Sequence, residues 1–491
     1  MRKAMDRQQR LDCQPMVKVK LNLDCRDEII PILVALQHIY SQPKLRDEIL
    51  RAIAADVNSH SSRKRGRQGM DYWSILVLAA VRLGCNLDYD KLQDLAEQHR
   101  VLRQIMGIGD WDQQTRFDWR RIRDNITLIR PQTLERINHL IVGQGHRLAP
   151  QAVRTVRADS FVMETNIHYP TESSLIRDGL RKVLQSGASL ADLLGVSGWR
   201  QHKHLYRKVR RLVREIDRIA ARKGTGYKAR LKPLYGELLD QAAAVLDRAD
   251  ELRQHPSAQD GLNLGIIGLM VELNDFIQRT RQVCGTATRR ILMEDKTVAN
   301  SEKLFSVFET HTQLYRRGKA AEPVQFGRQV LVYEDGVGFI VHACLMPRDA
   351  SDADVVVQQT RELQKRLGGG IQHASFDRGF HSPENQQALA EIIPHPCLPM
   401  PGAKQAAQQE REATVEFHQS RQWHSGIESA INALQVGNGM ERCRDRTEQG
   451  FSRYIQLGVL GRNLHVLGKL LLAQQDAHCQ AAQSRRRKLA A

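Results

Sequence analysis

Residues 371–389, IQHASFDRGFHSPENQQAL, decide the fold. A run of strand-forming residues, 371–376, stops at Asp377, and a glycine follows at 379. Ser382 is then placed to cap a helix that carries Pro383 in its first turn. A carboxylate where a strand stops and the chain turns can cap the turn or hold a cation. Which of the two applies depends on whether other carboxylates arrive at the same place.

Working outward, "SDADVVVQQTRELQKRL" (351–367) reads as a helix ended by Gly368–Gly370. "RQVLVYEDGVGFIVHACLM" (328–346) reads as a β-hairpin that turns at Glu334-Asp335-Gly336. On the other side, "IIPHPCLPMPG" (392–402) is a short, proline-laden edge strand. One long helix is predicted over 408–434 and another over 450–472. Far upstream, "AVRTVRADSFVMETNIHYP" (152–170) is rich in β-formers, and a helix follows over 173–184. Residues 185–304 show helical patterning with no strand signal. Strand, hairpin, helix, strand, helix, strand, helix describes one α/β domain split by a helical insertion.

Residues 1–145 read mostly as helices, at 43–58, 71–83, 87–98 and 112–129. In the last of these Asp112 serves as N-cap and Trp119, Ile122, Ile126 and Ile129 make the apolar stripe. Arg116, Arg120 and Arg123 fall on another face, which suits a groove-reading helix of helix-turn-helix type or a solvated arginine face. "SSRKRGRQG" (61–69) is a basic linker or arm. The expected organisation is an all-helical N-terminal DNA-binding region (1–149) and an α/β domain in two pieces (150–184 and 305–475). A basic helical insertion (185–304) and a basic, disordered tail (476–491) complete it. No internal repeat of 20–50 residues is visible.

The charge of the 491-residue chain points to a polyanionic partner. It carries 73 Lys and Arg against 55 Asp and Glu, a formal +18, and the excess is clustered. Across 200–232, Leu205, Val209, Leu212, Ile216 and Ile219 form an apolar seam at 4,3,4,3 spacing. Arg207, Arg211, Arg214, Arg218 and Arg222 line the opposite side, with only Glu215 and Asp217 for acids. Solvated faces usually alternate signs, so this one is expected to contact phosphates, which positions DNA without reading its sequence. The eight scattered cysteines contain no CxxC pair, and His373, His381, His395 and Cys397 fit no common zinc spacing. "GLNLGIIGLM" (261–270) lacks the lysine of a nucleotide-binding loop. The N-terminal stretch lacks the apolar region of a secretory signal, and no apolar run is long enough for a bilayer. The expectation is a protein without membrane contact, cytoplasmic and associated with a bacterial nucleoid.

Two further carboxylates have reason to meet Asp377. Asp159 lies in or at the end of the first strand, and in open α/β sheets ligands collect beyond the carboxyl ends of strands. On the helix containing "SRQWHSGIESAINALQ" (420–435), Arg421, His424, Glu428, Asn432 and Gln435 share one narrow stripe at about 100° per residue. Ile427, Ala430, Ile431 and Leu434 turn away from it. A solvated polar face is the plain alternative, but such faces usually carry paired Lys and Glu. Hard oxygen ligands suit Mg²⁺ or Mn²⁺, and two such ions assist both the attacking and leaving oxygens of a phosphodiester. Trp199 and Trp423 suit stacking on an extruded base, though packing is the commoner fate of tryptophan.

These motifs resemble the DDE transposases of bacterial insertion sequences, close to the ISNCY group. The likeness is carried by "ADSFVMETNIHYPTESSLIRDGLRKV" (158–183), "ASFDRGFHSPEN" (374–385), "RQWHSGIESAINAL" (421–434) and "GMERCRDR" (439–446). "HTQLYRRGKAAEPVQFGRQV" (311–330) adds to it. The resemblance spans about 150–184 and 305–465. It implies an RNase H-like core with Asp159, Asp377 and Glu428 as catalytic triad and ligands of two Mg²⁺ or Mn²⁺ ions. It also implies cleavage at element ends, strand transfer of the 3′-hydroxyl into target double-stranded DNA, and a homodimer or larger synaptic complex. Related families place a lysine after the Glu, and this chain has Gln435 instead. Contact of His424 or Arg421, which precede the Glu, with the scissile phosphate is the expectation here. A stand-alone structure-specific nuclease with the same core, and a non-catalytic DNA-binding regulator, are the competing readings.

Overall fold

The computed structural model describes residues 3–5, 12–59, 69–222, 224–255, 263–316, 323–402 and 406–490. The chain divides into two compact units, 1–164 with 328–491 and, inserted between them, 165–327. All but Gly69 of the basic arm at 61–69 lies outside the described residues.

The first unit begins with seven helices: α1 (Ile29–Ser41), α2 (Pro43–Asn58), α3 (Tyr72–Gly84), α4 (Tyr89–Gln98), α5 (Arg100–Ile105), α6 (Trp119–Ile126) and α7 (Pro131–Leu148). Local chemistry places their starts. Asp71 accepts the Ser74 amide, Asp88 the Lys91 amide, and Pro43 and Pro131 occupy first turns. The helix expected over 112–129 is shorter. Asp112 folds back on the amides of Gln114 and Thr115 in an Asx turn, and Asp118 caps α6 instead. Arg116 therefore precedes the helix, and of the three expected arginines Arg120 and Arg123 lie on it.

A mixed sheet of seven strands follows, in the order β2-β3-β1-β5-β6, with β4 on β3 and β7 on β1. The strands are β1 (Thr155–Thr165), β2 (Gln313–Arg316), β3 (Val324–Asp335), β4 (Ile340–Leu345), β5 (His373–Phe376), β6 (His395–Cys397) and β7 (Arg442–Cys443). Strands β1, β5 and β6 run parallel, while β3 is antiparallel to β2 and β4. The hairpin turns where the sequence predicts, with Asp335 accepting the amides of Val337, Gly338 and Phe339.

Helices α8 (Glu172–Leu194), α9 (His202–Arg222), α10 (Tyr227–Gln254) and α11 (Leu264–Ala287) form the second unit with β2 and the start of β3. Val209, Leu212 and Ile216 of α9 are buried with Leu238, Leu246 and Ala249 of α10 and Leu273 and Ile277 of α11. Each such aliphatic side chain contributes about 1.5–3 kcal/mol by leaving water. The insertion thus has its own core, and its unit runs from 165 to 327 rather than from 185 to 304.

In the first unit α12 (Asp352–Arg366) leads to β5 through Gly368 and Gly369, both at positive φ, and α13 (Pro383–Ile392) links β5 to β6. The helix expected over 408–434 is three: α14 (Ala406–Glu412), α15 (Val415–His424) and α16 (Ile427–Asn432), the last widening into a π turn at Ala433–Gly437. Thr414 starts α15 as an N-cap, and the chain bends again at Ser425–Gly426. Helix α17 (Glu448–Ala490) packs on α1, α3, α7 and β4, so the N-terminal helices share a core with the sheet. Gly461 allows it to touch α3, because a Cβ there would lie 2.6 Å from Gly84 Cα. The same helix continues through the tail expected to be disordered. Among the described residues no helix is long and apolar enough to cross a membrane.

His342 of β4 is buried with Nε2 2.7 Å from Gln359 Oε1, and burial lowers its pKa from 6.5 to about 4. Burial and the nearby cations of Lys469 and Arg462 lower His465 to about 4 as well. Below pH 6.5 the unfolded chain takes up protons that these folded rings refuse. Stability is therefore complete above about 6.5 and declines as pH falls toward about 4, by up to about 1.4 kcal/mol per pH unit for each ring. Melting temperatures across that range should fall with acid, and His342→Gln should flatten the fall; an unchanged slope would contradict the assignment.

Candidate functional site

The parallel register of β1 and β5 brings two carboxylates together. Arg157 pairs with Ser375 and Ala158 with Phe376, so the next step sets Asp159 beside Asp377 on strands about 4.8 Å apart. Asp377 still has extended backbone, φ −79° and ψ 168°, so the alternation of faces carries through it. Arg157, Asp159, Ser375 and Asp377 thus share one face, while Ala158 and Phe376 are buried on the other. Each aspartate accepts the amide of the residue after it, Ser160 at 2.7 Å and Arg378 at 2.6 Å. Asp377 therefore does cap the turn, as the N-cap of Arg378–Phe380, and its side chain remains exposed.

Helix α15 lies against this face at two polar points. His424 Nδ1 is 3.2 Å from Ser375 Oγ, and Arg157 Nη1 donates to the Trp423 carbonyl at 2.7 Å. The Arg157 guanidinium also sits 4.7 Å from the Trp423 ring centroid. At Gly426 a Cβ would overlap Arg157 Nη1, so the bend that separates α15 from α16 needs a residue without a side chain. Glu428 follows two residues on, exposed in the first turn of α16. Burial lowers the His424 pKa, while the charges of Asp377 and Glu428 act in the opposite sense. Both carboxylates therefore lie within electrostatic reach of a neutral imidazole.

Behind Arg157 stands a buried acid. Arg157 Nε donates to Glu334 Oε2 at 2.6 Å, and Arg462 Nη2 lies 3.6 Å from Oε1. Burial pushes the Glu334 carboxyl up, and Arg157 pulls it back. Sequence patterning assigned Glu334 only to a hairpin turn and passed over Arg157, Ser375 and Arg462. For Arg157 a signal existed: it stands two residues before Asp159, hence on the same face of a strand.

The structure separates the remaining residues. Arg421 is exposed one turn before His424, but the bend at Gly426 breaks the single helical stripe that joined it to Glu428, Asn432 and Gln435. Among the described residues, no group of three or more His, Cys, Asp and Glu is gathered closely enough to hold a metal ion. Asp159 and Asp377, set side by side by the register, supply a pair of hard oxygen donors. Mg²⁺ is commonly bound by one or two carboxylates with water and substrate phosphate completing the shell, and this pair fits that mode rather than a closed three-carboxylate cage. Arg120 and Arg123 flank the Trp119 ring at 4.6 and 5.3 Å, and Arg123 pairs with Asp124. Trp199 is buried in the second unit, and His373 stacks on His395 at 4.8 Å.

In the second unit Arg207, Arg211, Arg214, Arg218 and Arg222 are all exposed on α9, opposite its buried seam. Among the described residues none of them is in an ion pair. Searches against protein-family models, curated proteins and solved structures returned no match to this chain.

The contact between Arg157 and Gly426 makes a measurable coupling. Gly426→Ala should destabilise the protein by about 1–3 kcal/mol through overpacking. Arg157→Ala should cost about 3 kcal/mol by leaving Glu334 short of its cation. In the double variant the Gly426 cost should shrink below about 0.5 kcal/mol, because the overlapped group is gone. Denaturant unfolding of all four proteins reads this, and strict additivity would remove the contact.

Proposed function

We propose that the chain is a DDE transposase on an RNase H-like core, cutting DNA at the ends of a mobile element and joining the freed 3′-hydroxyl to target DNA. The observation that carries the reading is the register that sets Asp159 beside Asp377, with α15, the helix just before Glu428, latched to the same face. Asp159 and Asp377 would hold a divalent cation. When bound, such a cation polarises a phosphate oxygen and eases deprotonation of an attacking hydroxyl or water.

The chain's own groups do the rest. Asp159 and Asp377 present oxygens on one open face, where a phosphodiester can approach. Glu428 follows the bend at Gly426, exposed in the first turn of α16, and on this reading it would be brought to that face when DNA and cation bind. His424, kept neutral by burial, carries an N–H that can donate to phosphate without adding a cation. Arg421, exposed one turn earlier, offers the planar fork that suits phosphate. The five arginines of α9 would bind duplex backbone, and two element ends held together call for at least a dimer.

Purified protein incubated with labelled element-end DNA and Mg²⁺ should yield 3′-hydroxyl nicks and joined products. Asp159→Asn, Asp377→Asn and Glu428→Gln should each slow nicking about a thousandfold, since several kcal/mol of charge stabilisation is at stake. His424→Gln or Arg421→Gln should slow it about tenfold to a hundredfold. End binding should survive in all five. Wild-type nicking in any carboxylate variant would refute the assignment. Nicks without joining would favour a stand-alone nuclease, and binding alone a regulator.

Replacing the α9 arginines by glutamine should weaken duplex binding and flatten its logarithmic salt dependence by about 0.9 for each phosphate no longer neutralised. A slope equal to that of the wild type would clear α9 of DNA contact.

A further inference from the structure

The second unit carries a cluster of aromatic rings that the reading above does not use. Tyr169 lies just after β1 and is 72% exposed. Its ring meets Phe326 edge to face, with centroids 5.4 Å apart and planes at 86°. Phe326 also leans on Phe305, 5.6 Å away. A large aromatic left this far in solvent forgoes much of the burial that would justify it as a core residue.

The loop that presents Tyr169 is firmly held. Pro170 follows it and restricts the backbone. Thr171 then caps α8 in a reciprocal box with Ser174, and Glu172 pairs with Arg290. The ring is therefore offered in a set place, and little ordering entropy remains to be lost on binding.

Cations surround the rings. In the antiparallel pairing of β2 with β3, Arg316 lies opposite Val324 and Leu314 opposite Phe326. These four side chains share one face, with Arg316 diagonal to Phe326. Arg316 is exposed and has no ion pair among the described residues. Lys303 stands two residues before Phe305, its ammonium 3.1 Å from the Asn300 amide oxygen. Burial and the guanidiniums of Arg290 and Arg316 hold Lys303 below the usual lysine value, so the three cations share one neighbourhood. Of the acids close by, Glu172 and Glu302 are engaged by Arg290 and Arg289, and Asp178 faces His168 and Arg177.

Flat rings beside uncompensated cations match a strand whose bases are unpaired. Bases in a duplex are stacked on one another and offer no face to a side chain. Unpaired bases stack on aromatic rings while their phosphates seek cations. A peptide partner would need carboxylates for the cations and would not need an edge-to-face platform. We propose that Tyr169, Phe326 and Phe305, with Arg316 and Lys303, form a binding site for a short unpaired stretch of DNA, about two or three nucleotides long by the span of the rings. This rests on the reading that the protein works on DNA, and it adds a single-stranded substrate element to that reading.

The test uses the full chain, a fluorescein-labelled oligothymidylate of about 12 nucleotides, and an element-end duplex, followed by anisotropy. Tyr169→Ala should weaken the single strand at least about fivefold, and Tyr169→Phe should restore it to within about twofold. Arg316→Gln should flatten the salt dependence for the single strand by about 0.7. Duplex affinity should change less than about twofold in all three variants. Tyr169 is exposed, so melting temperatures should match the wild type. A wild-type protein that binds duplex but not oligothymidylate overturns this inference alone. So does a Tyr169→Ala protein that binds the single strand normally, or a phenylalanine that fails to rescue. A wild-type protein that binds neither DNA overturns the functional reading as well.

Discussion

The pairing of β1 with β5 is the constraint on which the site depends. Parallel strands cannot be joined by a tight turn, so these two meet only after the intervening chain has folded. Their register is held by what each face demands. Val156, Ala158, Ala374 and Phe376 are buried on one side. A slip of one residue would turn those side chains outward and drive Arg157 and Asp159 into the core. The same alternation that buries the apolar set therefore sets Asp159, within β1, beside Asp377, just past the end of β5. Catalytic geometry, on the proposed reading, comes from core packing rather than from any local motif.

Holding α15, the helix just before Glu428, to that face is a separate problem, and it is met with polar groups. Arg157 is nearly enclosed, and a buried guanidinium with one partner would be costly. It has Glu334 at one end, the Trp423 carbonyl at the other and the Trp423 ring across its face. Such a network adds little net stability over an apolar one of the same shape. What it supplies is position, because hydrogen bonds fix direction where apolar contacts slide. Gly426 completes the arrangement by giving the guanidinium room at the break between α15 and α16.

That break shows what sequence reading can and cannot reach. Local punctuation was legible: Asp71, Ser382 and Pro383 start the helices they were expected to start, and Gly368 ends one. The hairpin turn was legible too, since β-periodicity carries it; Asp159 and Asp377 could be paired only on the condition that their strands are parallel neighbours, which the fold supplies. The bend at Gly426 was not, because glycine within a helical pattern is tolerated often enough that only the distant Arg157 explains it. Glu334 misled for the same reason. In a turn sequence it reads as a solvated acid, and only tertiary structure reveals the two arginines that bury it. The N-cap at Asp118 rather than Asp112 was a contest between two local motifs, and the Asx turn won.

Charge tells the two units apart in a way that bears on function. In the first unit many arginines that touch the fold are spoken for: Arg82 by Asp445, Arg130 by Asp56, Arg157 by Glu334 and Arg328 by Glu448. Those pairs serve the structure. The arginines of α9 and Arg316 in the second unit have no such partner among the described residues, although their helix and hairpin are already stabilised from the other side. Concentrating like charges costs the folded state through self-repulsion, and folding gains nothing from it. Selection for the native structure alone would have scattered acids among them, as it did around α10 and α11, where Asp247, Asp250 and Asp275 meet Arg253, Arg279 and Arg281. The unit can evidently pair its charges where only stability is at stake. On the proposed reading, the cations left unpaired among the described residues would meet phosphates, and that asymmetry within one small unit bears on the reading more directly than the net charge of the chain does.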